Sequence, residues 1–132
     1  MKSLYAAAVI GPSALLAGLA AAGVAVAASS SAAGTTPARA LVFAKEYRLT
    51  ASRETVPAGR VVMQLRNIGE DDHDLVVRRL GGAILATTGI VRPGRLGQLT
   101  VRLTPGRYVL FCSVADHEQR GMRRVLQAKR KP

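Results

Sequence analysis

The sequence is short of most of the residues on which enzyme and metal chemistry is built. Its 132 residues include one cysteine, two histidines, no tryptophan, three tyrosines and two phenylalanines. A single cysteine excludes an intramolecular disulfide, a binuclear two-cysteine copper centre, a four-cysteine zinc site and an iron–sulfur cluster. Two histidines leave too little material for a multi-metal enzyme. Acid is scarce as well: 8 Asp and Glu stand against 19 Lys and Arg, a net charge of +11. The length suits one domain of ordinary size. The hydrophobic fraction, 48%, is ordinary, but it averages two unlike regions.

The first region is the N-terminus. Met1 to Ala28 carries Lys2 as its sole charge, and from Leu4 it is almost wholly Ala, Val, Leu, Ile and Gly. A basic start, an apolar stretch and the small-residue run Ala25-Val26-Ala27 read as a signal peptide over residues 1–27, cleaved near Ala27. The apolar run, about 25 residues, exceeds the ~7–15 of a signal core. It also reaches the ~20 that span a bilayer, so a retained N-terminal membrane anchor stays open. No cysteine lies at the junction, which excludes a cysteine-linked lipid anchor. Residues 28–40, with the run SSSAAGTTP, read as a flexible linker. The expected domain is then 41–132, outside the cytoplasm: periplasmic, secreted or on the outer face of the cytoplasmic membrane. Export removes nucleic acid from the expected partners of the basic charge.

From Leu41 the pattern changes to short apolar segments with partial period-two alternation. Strands are expected over Leu41–Thr50, Arg60–Asn67, Asp74–Leu80, Ala83–Thr88, Gly97–Leu103, Arg107–Ser113 and Met122–Ala128. Pro57-Ala58-Gly59, Gly81-Gly82, Pro93-Gly94 and Pro105-Gly106 punctuate them as turns. Strands separated by such turns predict an all-β fold, an antiparallel sandwich or barrel. A core of this size is modest, and a bound metal would add usefully to its stability.

The residues able to carry chemistry fall together in this region. Cys112 ends the strand richest in aromatic and β-branched residues, and His117 and Met122 follow it in a C-x4-H-x4-M run. His73 lies on the loop that opens another strand. One thiolate, two imidazoles and a thioether are the donors of a mononuclear electron-transfer copper site, in which the Met is a long, weak axial ligand. The spacing has a physical reason. A sheet fixes a sulfur at a strand end, and one tight loop returns the histidine and methionine to it.

On these residues the chain resembles the cupredoxin family, the type 1 or blue copper proteins of plastocyanin and azurin type. The matching stretches are VPAGRVVMQLRNIGEDDHDLVV, the turn RPG, and LTPGRYVLFCSVADHEQRGMRRVL, covering about Tyr47 to Ala128. The resemblance implies a Greek-key β-sandwich that holds one copper ion through His73, Cys112, His117 and Met122. It also implies that Asp74 braces the ligand loop through Ser113, and that Asn67, the Asn several residues before the first histidine in the family pattern, lies just behind the ligands. Hydrogen bonds of this kind orient ligands and tune the metal. In the family, the second histidine normally lies in an apolar exposed patch and often follows Pro or Gly. Here Val114-Ala115-Asp116 precedes His117, and Asp116 and Glu118 flank it.

The resemblance implies an exported electron carrier, expected as a monomer, with a redox protein partner that the basic charge would suit if acidic. The edge of His117 would be the exit route. The alternatives are an extracytoplasmic copper-binding module for storage, delivery or sensing, and a component of a metal-uptake or respiratory system. No Met-rich or His-rich tract favours delivery. An enzyme is not expected: copper nitrite reductases and multicopper oxidases need further histidines, and a Ser-His-Asp set would remove a copper ligand. Glu70, Asp71, Asp72 and Asp74 lack the spacing of a calcium loop and read as a solvated acidic rim. The basic groups Arg78-Arg79, Arg120, Arg123-Arg124 and Lys129-Arg130-Lys131 read as a solvated face or as steering charge, and association with membrane or envelope through them or the N-terminus stays open.

Overall fold

The structure is a computed structural model that describes residues 35–132. The expected signal or anchor and most of the expected linker lie outside the described residues. Nine strands follow in chain order: β1 (Ala38–Lys45), β2 (Arg48–Ala51), β3 (Thr55–Pro57), β4 (Gly59–Asn67), β5 (Val76–Arg79), β6 (Ile84–Thr87), β7 (Leu96–Leu103), β8 (Gly106–Phe111) and β9 (Arg123–Lys129). They form a four-stranded sheet, β2-β1-β4-β7, and a five-stranded sheet, β3-β9-β8-β5-β6.

Alternating side chains explain how the two sheets close on one core. Ala40, Val42 and Ala44 of β1 face inward, as do Val61, Met63 and Leu65 of β4 and Leu99, Val101 and Leu103 of β7. Val56, Val77, Tyr108, Leu110, Leu126 and Ala128 answer from the second sheet. Fully burying a Leu, Val or Met side chain stabilises by about 1.5–3 kcal/mol, so this interior carries the fold. Tyr108 is buried but keeps its hydroxyl satisfied by donating to the Thr104 carbonyl at 2.8 Å. On the outer face of the second sheet, Val76, Val109 and Phe111 form a smaller cluster, covered by the Arg78 guanidinium 4.4 Å above the Phe111 ring.

The all-β sandwich is as expected, with four differences in detail. Leu41–Thr50 is a hairpin rather than one strand: β1 turns at Glu46-Tyr47 and pairs antiparallel with β2. The strand β1 begins at Ala38, so the last residues of the expected linker are already sheet. The three-residue β3 was not expected. Both sheets are mixed rather than antiparallel, because β1 runs parallel to β4 and β3 runs parallel to β9.

Candidate metal centre

The site is built at one end of the sandwich from two loops and a strand end. Cys112 directly follows β8, and the loop from Ser113 to Met122 leads into β9. That loop is braced by its own backbone. Cys112 donates its N–H to the Met122 carbonyl at 3.1 Å, and Met122 donates to the His117 carbonyl at 2.9 Å. Turns from His117 to Val114 and from Gly121 to Glu118 complete it. Gly121 has φ 115°, a conformation that L side chains rarely adopt, and a Cβ there would lie 3.3 Å from the Tyr47 carbonyl. The second loop carries His73, whose backbone is paired in both directions with Val91, at 3.2 and 2.7 Å. Asn67, fully buried at the end of β4, clamps that loop. Its amide nitrogen donates to the Asp71 and Val91 carbonyls, both at 2.8 Å, and its oxygen accepts from the Gly69 N–H at 2.9 Å.

These constraints bring three donor atoms together. His73 Nδ1 lies 3.2 Å from His117 Nδ1, and Cys112 Sγ lies 3.8 and 3.6 Å from the same two nitrogens. The point equidistant from the three is about 2 Å from each, against ordinary zinc–imidazole and zinc–thiolate bonds of about 2.0 and 2.3 Å. The residues present therefore fit one small transition-metal ion. His73, Cys112 and Met122 are fully buried and His117 is 5% exposed, so water has almost no access. Met122 packs into the same apolar cluster as Cys112. Burial pushes the Cys112 thiol pKa up, while the N–H groups of Asp74 and Val114 act against it. The Asp74 N–H lies 3.5 Å from the sulfur.

Asp74 does not belong to a solvated rim. It is buried, and its carboxylate accepts two hydrogen bonds from Ser113, one from the N–H at 2.6 Å and one from the hydroxyl. These bonds tie the first-histidine loop to the residue after the cysteine. His117 is also more enclosed than expected. The Tyr47 ring meets it edge-on with centroids 5.2 Å apart, and the Arg120 guanidinium lies over Tyr47 at 3.4 Å. Glu118, next to His117, is held by Arg78 through two contacts of 2.7 and 3.3 Å.

One residue of the site had no sequence signal. Glu46, in the β1–β2 turn, places a single carboxylate oxygen 2.9 Å from His73 Nε2 and 2.8 Å from the N–H groups of both Glu70 and Asp71. The Asp71 N–H is the largest of the influences that lower its pKa to about 2, with His73 and the Glu70 N–H adding to it against the effect of burial. Nothing in the turn's own sequence marks it as a neighbour of a histidine 27 positions away.

No protein-family model matches the chain, and no curated protein sequence matches it. Solved structures do. Reduced auracyanin from the photosynthetic bacterium Roseiflexus castenholzii is 21% identical over 73% of this chain and 99% of its own, with a TM-score of 0.59. Auracyanin A, described as a "blue" copper protein from Chloroflexus aurantiacus, is 15% identical over 71% of this chain and 100% of its own, with a TM-score of 0.61. An azurin from Methylomonas sp. strain J is 14% identical over 71% and 99%, with a TM-score of 0.57. Two mixed sheets with a buried His-Cys-His cluster at one end, superimposing on these proteins over nearly their whole length, give this chain the cupredoxin fold.

Proposed function

We propose that the protein is a type 1 copper protein that transfers single electrons. The observation that carries this reading is the convergence of two imidazole Nδ1 atoms and one cysteine sulfur on a single buried point. With Met122 beside them the donors are those of an electron-transfer copper centre, and copper bound there would supply one-electron cycling between Cu(I) and Cu(II). His73, Cys112 and His117, with Met122 beside them, are the residues that would hold the ion.

The chain's own contribution is rigidity and dryness. The backbone braces on both loops hold the donors in one arrangement whichever charge the ion carries, so little rearrangement accompanies transfer. Burial favours a carrier over a delivery protein, because an acceptor has no open path to the ligands. His117, 5% exposed where His73, Cys112 and Met122 are fully buried, is the route out to a redox protein partner in this reading, past Tyr47, Arg120 and Asp71. The partner's acidity, export of the protein and a site of action outside the cytoplasm belong to this proposal. They are supported by the basic surface and the apolar N-terminal sequence. No part of the reading requires an enzymatic step.

The test is to add Cu(II) to the purified protein and record its visible spectrum. A strong thiolate-to-copper band in the wild type, lost in Cys112→Ser, is expected. A wild type with no such band, or a band that survives the substitution, would overturn the copper assignment.

A further inference from the structure

Glu46 makes contacts that packing alone does not require. One oxygen of its carboxylate serves three partners: His73 Nε2 and the N–H groups of Glu70 and Asp71. The sequence also leaves room for it. A Cβ on Gly69 would lie 2.1 Å from that oxygen and 2.7 Å from the carboxyl carbon, so any other residue at 69 would displace the carboxylate. The loop between Asn67 and His73 is thus shaped around an anionic group brought from the opposite turn.

An ionised carboxylate accepts hydrogen bonds and cannot donate them. Its partner on His73 is therefore Nε2 carrying the proton, and in the neutral ring Nδ1 is then the bare nitrogen, on the side facing Cys112 and His117. A carboxylate on the far nitrogen of a metal-binding imidazole fixes the ring's tautomer and orientation and raises its basicity. A more basic imidazole and a nearby negative charge both favour the higher charge state of an ion at the site.

We propose that Glu46 is a positioning residue for the metal centre: it holds His73 as the Nε2–H tautomer with Nδ1 directed at the shared donor point, and it biases the centre toward Cu(II) over Cu(I). The first half concerns the protein alone, and the second rests on the copper reading above.

The experiment uses the full chain as wild type, Glu46→Gln, Glu46→Ala and Gly69→Ala. In the metal-free proteins, ring 15N shifts report the His73 tautomer without any copper. The wild type is expected as a single Nε2–H form. Glu46→Gln keeps an accepting oxygen and should keep that form, whereas Glu46→Ala and Gly69→Ala should give a mixture. In the copper-loaded proteins, redox titration should show Glu46→Gln losing about tenfold in the preference for Cu(II) over Cu(I). For a one-electron couple that is a rise of about 59 mV in reduction potential. An unchanged tautomer in both Glu46→Ala and Gly69→Ala, or a Glu46→Gln preference within twofold of wild type, overturns the proposal. If Cu(II) gives no thiolate band in the wild type, the copper reading falls on that result, and the 15N measurement still decides the role of Glu46.

Discussion

Asp74 is the residue on which two separately folded loops depend. Its carboxylate ends two hydrogen bonds from Ser113, and its own N–H faces the Cys112 sulfur. Removing the carboxylate leaves a part-buried N–H and hydroxyl without partners, a loss of about 1–3 kcal/mol. Asp74→Ala should therefore lower the stability of the metal-free protein by that amount in chemical denaturation. It should also shift or broaden the copper band, since the sulfur's hydrogen bond is no longer fixed. A variant with unchanged midpoint and spectrum would show that Ser113 is held by the strand alone. Asp74 was only partly legible in the sequence, because it adjoins His73 but also reads there as part of a solvated rim, and the candidate metal loop was legible because Cys112, His117 and Met122 lie within eleven consecutive positions. Glu46 was not, because its approach depends on how two loops of different strands meet, and no local spacing encodes that.

At the scale of elements, the stretch from Cys112 to Met122 works as one device. A strand end, three backbone turns and a glycine return the chain to its starting point. Gly121→Ala would force a side chain into a left-handed conformation close to the Tyr47 carbonyl. Strain of this kind costs about 1–3 kcal/mol. The expected outcome is a lower melting temperature in the metal-free protein and faster copper loss to a chelator, as Met122 and His117 share the distorted turn. A retained melting temperature would place the loop's stability in its side-chain contacts instead. Strands flanked by Pro-Gly turns were readable because those turns have their own backbone chemistry. The β1–β2 hairpin was not, since Glu46-Tyr47 contains no Gly, Pro, Asn or Asp. Parallel pairing of β1 with β4 and of β3 with β9 was also hidden. It is decided by which sheet edges meet in the folded sandwich, and the alternation within each strand is the same either way.

At the scale of the whole molecule, part of the excess positive charge is grouped beside the site. Arg48, Arg123 and Arg124 surround a shallow depression that Tyr47 and Gly121 also line, and Arg120 covers the Tyr47 ring beside His117. The acids near that end are largely engaged: Glu118 is held by Arg78, Asp74 by Ser113, and Glu46 by His73 and two backbone N–H groups. Glu70, Asp71, Asp72 and Asp116 stay exposed, Asp116 within 4.0 Å of Arg120, whereas among the described residues Arg48, Arg123 and Arg124 have no acidic partner. A cationic patch beside the proposed electron exit would attract anionic reactants and repel cationic ones, and added salt would weaken both effects once separations exceed about 8 Å at physiological ionic strength. Oxidation of the Cu(I) protein by ferricyanide should therefore slow as salt is raised, whereas oxidation by tris(phenanthroline)cobalt(III) should quicken. Arg123→Glu combined with Arg124→Glu should flatten both dependences without moving the copper band, because neither side chain touches His73, Cys112 or His117. Opposite salt slopes for the two oxidants separate steering from a general effect of salt on the centre, since the latter would move both rates the same way. Equal slopes would mean that these arginines do not steer reactants to the site.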